Sequence, residues 1–248
     1  MHKMNPDQVF VPGQRLKTPE PSTGDVPVWA FTTITDFEMC PYKVYKAKVE
    51  KVKVDNSDNA ALNRGIKVHD DAEKFVRGEI DMPAELKKFE KKFLDLRELF
   101  SAGMVELEEN WGVKQDWSPC SWRDKDLWGR IKLDAFVMET PTSGWCIDYK
   151  TGRKFGNELK HGLQGMFYTI AAFERYPELQ TVQTDFWYVD KGEELNKLYT
   201  RAEAEVLKTR VEKRALALTT CTSWPPRPSQ HNCKWCDYKK ENLCEWSE

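Results

Sequence analysis

The chain has 248 residues, of which 40% are hydrophobic and 31% are charged, and its formal net charge is −2. This length allows one large domain or two small ones with a substantial core. The balanced charge gives no global sign of nucleic-acid binding, so any such surface must be local. No apolar run approaches the roughly 20 residues that span a membrane, and the first residues lack the apolar stretch of a signal peptide. We therefore expect a cytoplasmic protein with no membrane partner.

Residues 1–28 carry several prolines and little periodicity, which predicts a flexible N-terminal arm before a single domain over residues 29–248. Apolar spacing predicts helices over residues 32–45, 60–77, 84–102, 158–175 and 200–218, with a break at Cys40-Pro41. Strands are predicted over residues 104–113, 127–138, 145–149 and 182–189, the first three as a meander. The predicted fold class is therefore α/β, with a central mixed sheet flanked by helices.

The third predicted strand, Trp145–Tyr149, ends at a polar turn that follows Lys150. Because side chains alternate along a strand, Asp148 and Lys150 share one face and Tyr149 lies on the other. An acid beside a base at a strand end is costly to bury unless the pair holds a metal or a phosphate. A solvated surface ion pair is the simpler alternative.

A second carboxylate, Asp134, lies near the end of the neighbouring antiparallel strand, so it can meet Asp148 across the pair. Two converging carboxylates repel unless a cation lies between them, and hard oxygen ligands suit Mg²⁺ or Mn²⁺. On the following helix, His161, Gln164 and Tyr168 share one face at i, i+3 and i+7 and can line the same cleft. His69, on an earlier helix, is a further candidate ligand.

This order of residues resembles the RecB-like branch of the PD-(D/E)xK nuclease superfamily. The matching segments are Gly65–His69, Gly129–Asp134, Ile147–Gly152 and Gln164–Tyr168, of which Asp-Tyr-Lys-Thr-Gly is the most specific. The resemblance spans about residue 31 to the C-terminus and implies a restriction-endonuclease-like core. It also implies a Mg²⁺- or Mn²⁺-dependent deoxyribonuclease.

The resemblance assigns roles to individual side chains. It implies that His69, Asp134, Asp148 and the backbone carbonyl of Tyr149 bind the metal. Lys150 would orient the attacking water or offset the charge of the transition state. Gln164 and Tyr168 would act with the catalytic groups by positioning the DNA strand and the active-site loop. A glutamate of the first strand sometimes joins such sites, and the sequence leaves Glu106, Glu108 and Glu109 as equal candidates.

Cations beside the site form a local basic strip that suits a phosphate backbone, made of Lys150, Arg153, Lys154, Lys160 and His161. Of these, Arg153, Lys154 and His161 are the predicted DNA contacts, together with Gln164 and Tyr168. Most of the ten tryptophans are expected in the core. Four in or near loops could stack on unpaired bases: Trp122, Trp128, Trp224 and Trp235.

Cysteines cluster at the C-terminus. Cys233, Cys236 and Cys244 form a C-x2-C-x7-C run, and C-x2-C is a good chelate for one ion or cluster. Some RecB-like nucleases, including CRISPR-associated adaptation nucleases and helicase-nucleases, hold a [4Fe-4S] cluster with three such cysteines and one near the N-terminus. Cys40 resembles that fourth ligand, so residues 220–248 would join the N-terminal helix. Zinc or unligated thiols are the alternatives, with Cys221 and His231 as spare ligands.

The leading interpretation is an exonuclease that hydrolyses phosphodiester bonds at DNA ends, single-stranded or in end processing. It would serve recombination, repair, or phage or CRISPR DNA metabolism, in the host cytoplasm if phage-encoded. The alternatives are a non-catalytic DNA-binding module and a nuclease subunit of a helicase complex. A homo-oligomer, or a recombination or helicase partner, is compatible with each of these interpretations.

Overall fold

A computed structural model of the protein describes residues 24–247. The first 23 residues of the predicted N-terminal arm lie outside this range. Val26, in the remainder of that arm, is buried in the core. No helix in residues 24–247 is long and apolar enough to cross a membrane.

The helices agree closely with the predicted ones. They are Phe31–Met39 (α1), Pro41–Val44 (α2), Ala60–Arg77 (α3), Glu90–Ser101 (α4), Glu158–Arg175 (α5), Arg201–Thr219 (α6), Gln230–Cys233 (α7) and Asp237–Lys240 (α8). A π-helical turn follows α2 and a 3-10 turn precedes α4. The predicted break at Cys40-Pro41 is confirmed, since α1 ends at Met39 and Cys40 is extended.

The strands form two mixed sheets, where one central sheet was predicted. They are Trp29–Ala30 (β1), Val105–Leu107 (β2), Asn110–Val113 (β3), Pro119–Cys120 (β4), Gly129–Lys132 (β5), Ala135–Thr140 (β6), Ser143–Lys150 (β7), Thr181–Tyr188 (β8) and Glu193–Thr200 (β9). The larger sheet has the order β2-β6-β7-β8-β9 and the smaller one β1-β5-β3-β4. Among the strand pairs of residues 24–247, β7–β8 and β1–β5 are parallel and the others are antiparallel. The predicted meander is confirmed as β2-β6-β7.

The first two predicted strands bend at the same level. One half of each strand lies in the larger sheet and the other half in the smaller sheet. The hairpin-like ribbon of residues 104–113 and 127–138 has the same register on both sides of the bend, which brings Glu108 opposite Asp134. The ribbon remains hydrogen-bonded there, because Glu108 N donates to Asp134 O at 2.9 Å and Leu133 N donates to Glu109 O at 3.0 Å. Glu108 has a φ of 52°, a left-handed conformation that is rare outside glycine. The bend therefore carries two carboxylates side by side.

The larger sheet separates two apolar cores. One core contacts α1, α5 and α6, and the other contacts α3 and α4. Along β7 the side chains alternate between them, with Cys146 in the first core and Ile147 and Tyr149 in the second. Asp148 and Lys150 consequently face α5 on the side opposite Tyr149, as the period of two predicts.

Strand β9 was not predicted. Its sequence, EELNKLYT, has few apolar residues because it is an edge strand with one largely exposed face. It pairs with β8 along its whole length. The next helix, α6, begins with a capping box in which Thr200 and Glu203 satisfy each other's backbone N–H groups.

Candidate active site

A cleft of about 650 Å³ opens where the bent ribbon meets the ends of β7, α3 and α5. Asp134 and Asp148 lie at its base, with 7% and 4% of their surfaces exposed. The same cleft is lined by His69, Lys150, Gln164, Tyr168, Glu108 and Lys132. The structure thus brings together the catalytic residues predicted from the sequence and adds a glutamate from the bend.

Both carboxylate oxygens of Asp134 are engaged by the protein. The backbone N–H of Tyr149 donates to Oδ2 at 2.6 Å, and His69 Nδ1 lies 2.9 Å from Oδ1. Burial, and next the charge of Asp148, raise the pKa of Asp134. Burial alone would lower the pKa of His69, but the hydrogen bond and charge of Asp134 outweigh it and raise that pKa. The side chain of Tyr149 packs against Phe93, so only its backbone faces the cleft.

The structure selects Glu108 among the three glutamates of the first strand. Donor atoms of His69, Glu108 and Asp134 all lie within 4.8 Å of one another, as a metal-binding group requires. Glu108 also pairs with Lys132 at 2.6 Å, and burial raises its pKa. Glu106 instead accepts a hydrogen bond from Tyr176 at 2.7 Å. Among the described residues, neither Glu106 nor Glu109 belongs to such a group.

Asp148 is held by residues of α5. Tyr168 donates from its hydroxyl to Oδ1 at 2.6 Å, and Gln164 Nε2 donates to the same oxygen at 3.2 Å. The other oxygen, Oδ2, contacts the ammonium of Lys150 but accepts no hydrogen bond of regular geometry. Gln164 and Tyr168, predicted to position DNA, therefore also orient a carboxylate of the site.

The chemistry of this donor set fits a divalent cation. Five carboxylates line the cleft, those of Asp70, Glu73, Glu108, Asp134 and Asp148, with only two ammonium groups, those of Lys132 and Lys150. Hard carboxylate oxygens with one imidazole suit Mg²⁺ or Mn²⁺. Asp148 lines the cleft outside the group of three, and the charged partner of its buried Oδ2 is the Lys150 ammonium.

Residues 28–244 match the PD-(D/E)XK nuclease superfamily. The chain belongs to this superfamily. Membership implies a metal-dependent nuclease, which would bind DNA, and it confirms the RecB-like resemblance at the level of the superfamily. No curated protein sequence matches the chain significantly. Among solved structures, the crystal structure of SSO0001 is similar with a TM-score of 0.47 and 14% identity, covering 90% of this chain and 88% of that chain.

The predicted DNA contacts of this PD-(D/E)XK domain occupy different environments. Arg153 is exposed and lines a second cavity, which adjoins the cleft and shares His69, Lys150 and Thr151 with it. Lys154 instead donates from Nζ to Glu194 O at 2.5 Å. His161 Nδ1 lies 2.7 Å from the hydroxyl of Tyr188. Burial, and next the charge of Lys150, lower the pKa of His161 to about 4, so at neutral pH it offers a hydrogen bond and no charge.

The stacking role predicted for the four tryptophans is wrong for two of them. Trp128 and Trp224 are buried in the core and cannot reach a base. Trp122 is half-buried beneath the Arg130 guanidinium, whereas Trp235 is 72% exposed beside the C-terminal cysteines. An exposed aromatic residue next to the cleft, Phe155, was missed, because it occurs as one apolar residue in a polar loop.

The four cysteines implied by the resemblance line one small cavity. They are Cys40, Cys233, Cys236 and Cys244. Cys146 is a buried core residue and does not line this cavity. The two spare candidates, Cys221 and His231, do not line this cavity, and the Cys221 thiol contacts Ser223 O at 2.9 Å.

Hydrogen bonds also join the C-terminal segment to the N-terminal helices around this cavity. Asn232 Nδ2 donates to Met39 O at 3.1 Å, and the Tyr42 hydroxyl donates to Glu245 Oε1 at 2.5 Å. The backbone N–H of Arg227 lies 3.4 Å from the sulfur of Cys40. Hydrogen bonds therefore join the two ends of the domain around the cavity that the four cysteines line.

Replacing Tyr168 with Phe removes the hydroxyl that orients Asp148 and leaves the ring in place. We expect Mn²⁺ binding to weaken by roughly 10- to 100-fold, the effect typical of losing a hydrogen bond to a metal-binding group. Isothermal titration calorimetry measures this change. Tyr176→Phe, which also deletes a tyrosine–carboxylate hydrogen bond but to Glu106 and outside the cleft, is the matched control and should bind Mn²⁺ normally. Equal affinities of the two variants would contradict the role given to Tyr168.

Proposed function

We propose that this protein is a Mg²⁺- or Mn²⁺-dependent DNA exonuclease that acts on single-stranded ends or in the processing of DNA ends. The observation that carries the proposal is the convergence of His69, Glu108, Asp134, Asp148 and Lys150 in one cleft. A purely structural ion-pair network would not require three carboxylates, two of them almost fully buried, to share one concave site.

The metal would be held by His69, Glu108 and Asp134, with Asp148 and the Tyr149 carbonyl as the further predicted ligands. A divalent ion in that position supplies Lewis acidity toward the phosphate and lowers the pKa of a bound water. The hydrogen bonds from Tyr149 N to Asp134 and from Tyr168 to Asp148 hold the carboxylates in place before substrate binds. Preorganised groups of this kind lose little free energy to rearrangement during the reaction.

Lys150 has an orienting and electrostatic role in this proposal. Its ammonium contacts Asp148 and also lies 5.4 Å from the centre of the Phe186 ring, so it is held at the floor of the cleft. A positive charge there can orient the attacking water and offset the charge that develops on the phosphate in the transition state. This role uses the ammonium form that pairs with Asp148, whereas a general base would have to give up that proton first.

The depth of the site favours a flexible strand. Asp134 and Asp148 are more than nine-tenths buried, so a scissile phosphate must enter the cleft to approach them. A single strand, or a frayed end, can bend into such a site, whereas a paired strand is held by its complement. The burial of these carboxylates therefore supports action at ends or on unpaired DNA over action within an intact duplex.

The nuclease proposal predicts metal-dependent cleavage of DNA. End-labelled single-stranded and duplex DNA should lose label with Mg²⁺ or Mn²⁺ and remain intact with EDTA. Asp148→Ala should be inactive, and Lys150→Ala should lose about 100- to 1,000-fold in rate, the cost of removing one transition-state charge contact. Circular single-stranded DNA should survive if the enzyme requires an end.

A non-catalytic DNA-binding module, the main alternative, would bind the same DNA and release no label under any of these conditions. Cleavage that persists in Asp148→Ala would contradict the site assignment. Rapid cleavage of the circular substrate would contradict exonuclease action while leaving the metal site intact.

We also infer that Cys40, Cys233, Cys236 and Cys244 bind a [4Fe-4S] cluster with a structural role. The four cysteines line one cavity, so four thiolates are available to a single inorganic group. The cluster would tie α1 and α2 to the C-terminal segment.

The cluster proposal predicts that anaerobically purified protein is brown and contains about four iron and four sulfide per chain. Cys236→Ser should lose the colour and most of the iron, while Cys120→Ser, a cysteine outside the cavity, should retain both. Metal analysis and visible absorption measure these quantities. Colourless protein that contains one zinc per chain would contradict the cluster and favour the zinc alternative.

A further inference from the structure

The loop that follows Lys150 presents an aromatic ring to solvent beside the cleft. Phe155 is 80% exposed, although the residues around it are held in place. Asn157 N donates to Lys154 O at 2.9 Å, which closes a tight turn with Phe155 near its tip. Lys154 is joined to β9 through Glu194 O. The large apolar side chain of Phe155 is therefore exposed to solvent on a loop that hydrogen bonds hold in place.

The same loop forms one wall of the substrate region. Arg153 and Asn157, each two residues from Phe155, line the cavity that adjoins the cleft. Gly156 has a φ of 86°, and its N–H donates to Glu158 Oε2 at 2.7 Å, so the chain turns sharply into α5 after the ring. Phe155 itself lines neither the cleft nor the adjoining cavity, but its neighbours Arg153 and Asn157 place it in the loop at the rim of that cavity.

Two cations lie close to Phe155 along the chain, one on each side of it. Arg153 and Lys160 are exposed, and neither forms a salt bridge with another described residue. Apolar side chains continue the surface, with Leu159 almost fully exposed on α5 and Ile66 exposed on α3, where it lines the cleft. An aromatic ring between unpaired cations is the pattern that binds unpaired nucleotides, since the phosphates meet the cations and a base stacks on the ring.

We propose that Phe155 is a positioning residue that stacks on a base of single-stranded DNA and directs the adjoining phosphate into the cleft. In a duplex both faces of each internal base are covered by neighbouring base pairs, so the ring can stack only on an unpaired or terminal base. Phe155 thereby contributes to the selection of unpaired strands. This inference rests on the proposed nuclease function and adds a substrate preference to it.

The test compares three substitutions of one side chain in a binding measurement. Fluorescence anisotropy of a labelled oligothymidylate in EDTA records affinity without cleavage. Phe155→Ala should bind about 5- to 100-fold more weakly, the range expected for losing one base–aromatic stack. Phe155→Trp should restore wild-type affinity, and Phe155→Leu, which keeps apolar bulk without a ring, should not.

Two controls separate stacking from a general loss of affinity or of folding. An oligonucleotide of the same length with abasic sites should bind all Phe155 variants equally, because it has no base to stack. Leu198→Ala removes an exposed apolar side chain from β9, five residues along the strand from the end beside the site, and should bind like the wild type. Cleavage of single-stranded DNA should decrease in Phe155→Ala, with duplex-end cleavage less affected.

Wild-type affinity of Phe155→Ala for the oligothymidylate would overturn the proposal. An equal loss on the abasic probe, or full rescue by Phe155→Leu, would overturn it as well. The affinities of the Phe155 variants can be interpreted separately from the nuclease proposal. An inactive wild-type protein would refute catalysis, and the binding series would still show whether the Phe155 ring stacks on a base. Conversely, active enzyme with unchanged Phe155→Ala would leave catalysis standing and refute stacking.

Discussion

The site depends on the buried carboxylate of Asp134. This residue lies at the bend of the ribbon that β2 and β3 form with β5 and β6. Its two oxygens join three separate parts of the chain, because one accepts the Tyr149 N–H from β7 and the other meets His69 on α3. The bend also places Glu108 opposite Asp134. Glu108 has a left-handed backbone conformation and lies between β2 and β3, which belong to different sheets. Backbone strain of this kind persists only where surrounding contacts over-determine it, and it often occurs at functional sites. The division into two sheets and the position of the metal-binding group thus have the same structural origin.

Opposite this ribbon, α5 and the loop that precedes it supply the second half of the site. Tyr168 and Gln164 hold Asp148 from the helix, while the turn around Phe155 faces outward. The buried carboxylates and the exposed ring are therefore connected by a short, hydrogen-bonded segment of chain. In our account this segment couples the binding of an unpaired base at the rim to the placement of a phosphate at the floor.

Much of this arrangement could be predicted from the sequence, since it follows from short-range periodicity. The alternation along β7 places Asp148 and Lys150 together, and the helical spacing of Gln164 and Tyr168 places them on one face. Other features depend on long-range packing. The bend at Glu108 leaves no mark in the alternation of apolar residues, so the three glutamates could not be distinguished. The burial of Trp128 and Trp224 and the low pKa of His161 likewise depend on neighbours distant in sequence.

The most direct test of the central claim is the position of a bound metal, measured by anomalous X-ray scattering from crystals soaked in Mn²⁺. We predict one strong anomalous peak in the cleft, within bonding distance of His69, Glu108 and Asp134 and adjacent to Asp148. The peak should disappear in crystals of Asp134→Asn. A peak only at surface carboxylates, or no peak in the cleft at Mn²⁺ concentrations that support cleavage, would contradict the account.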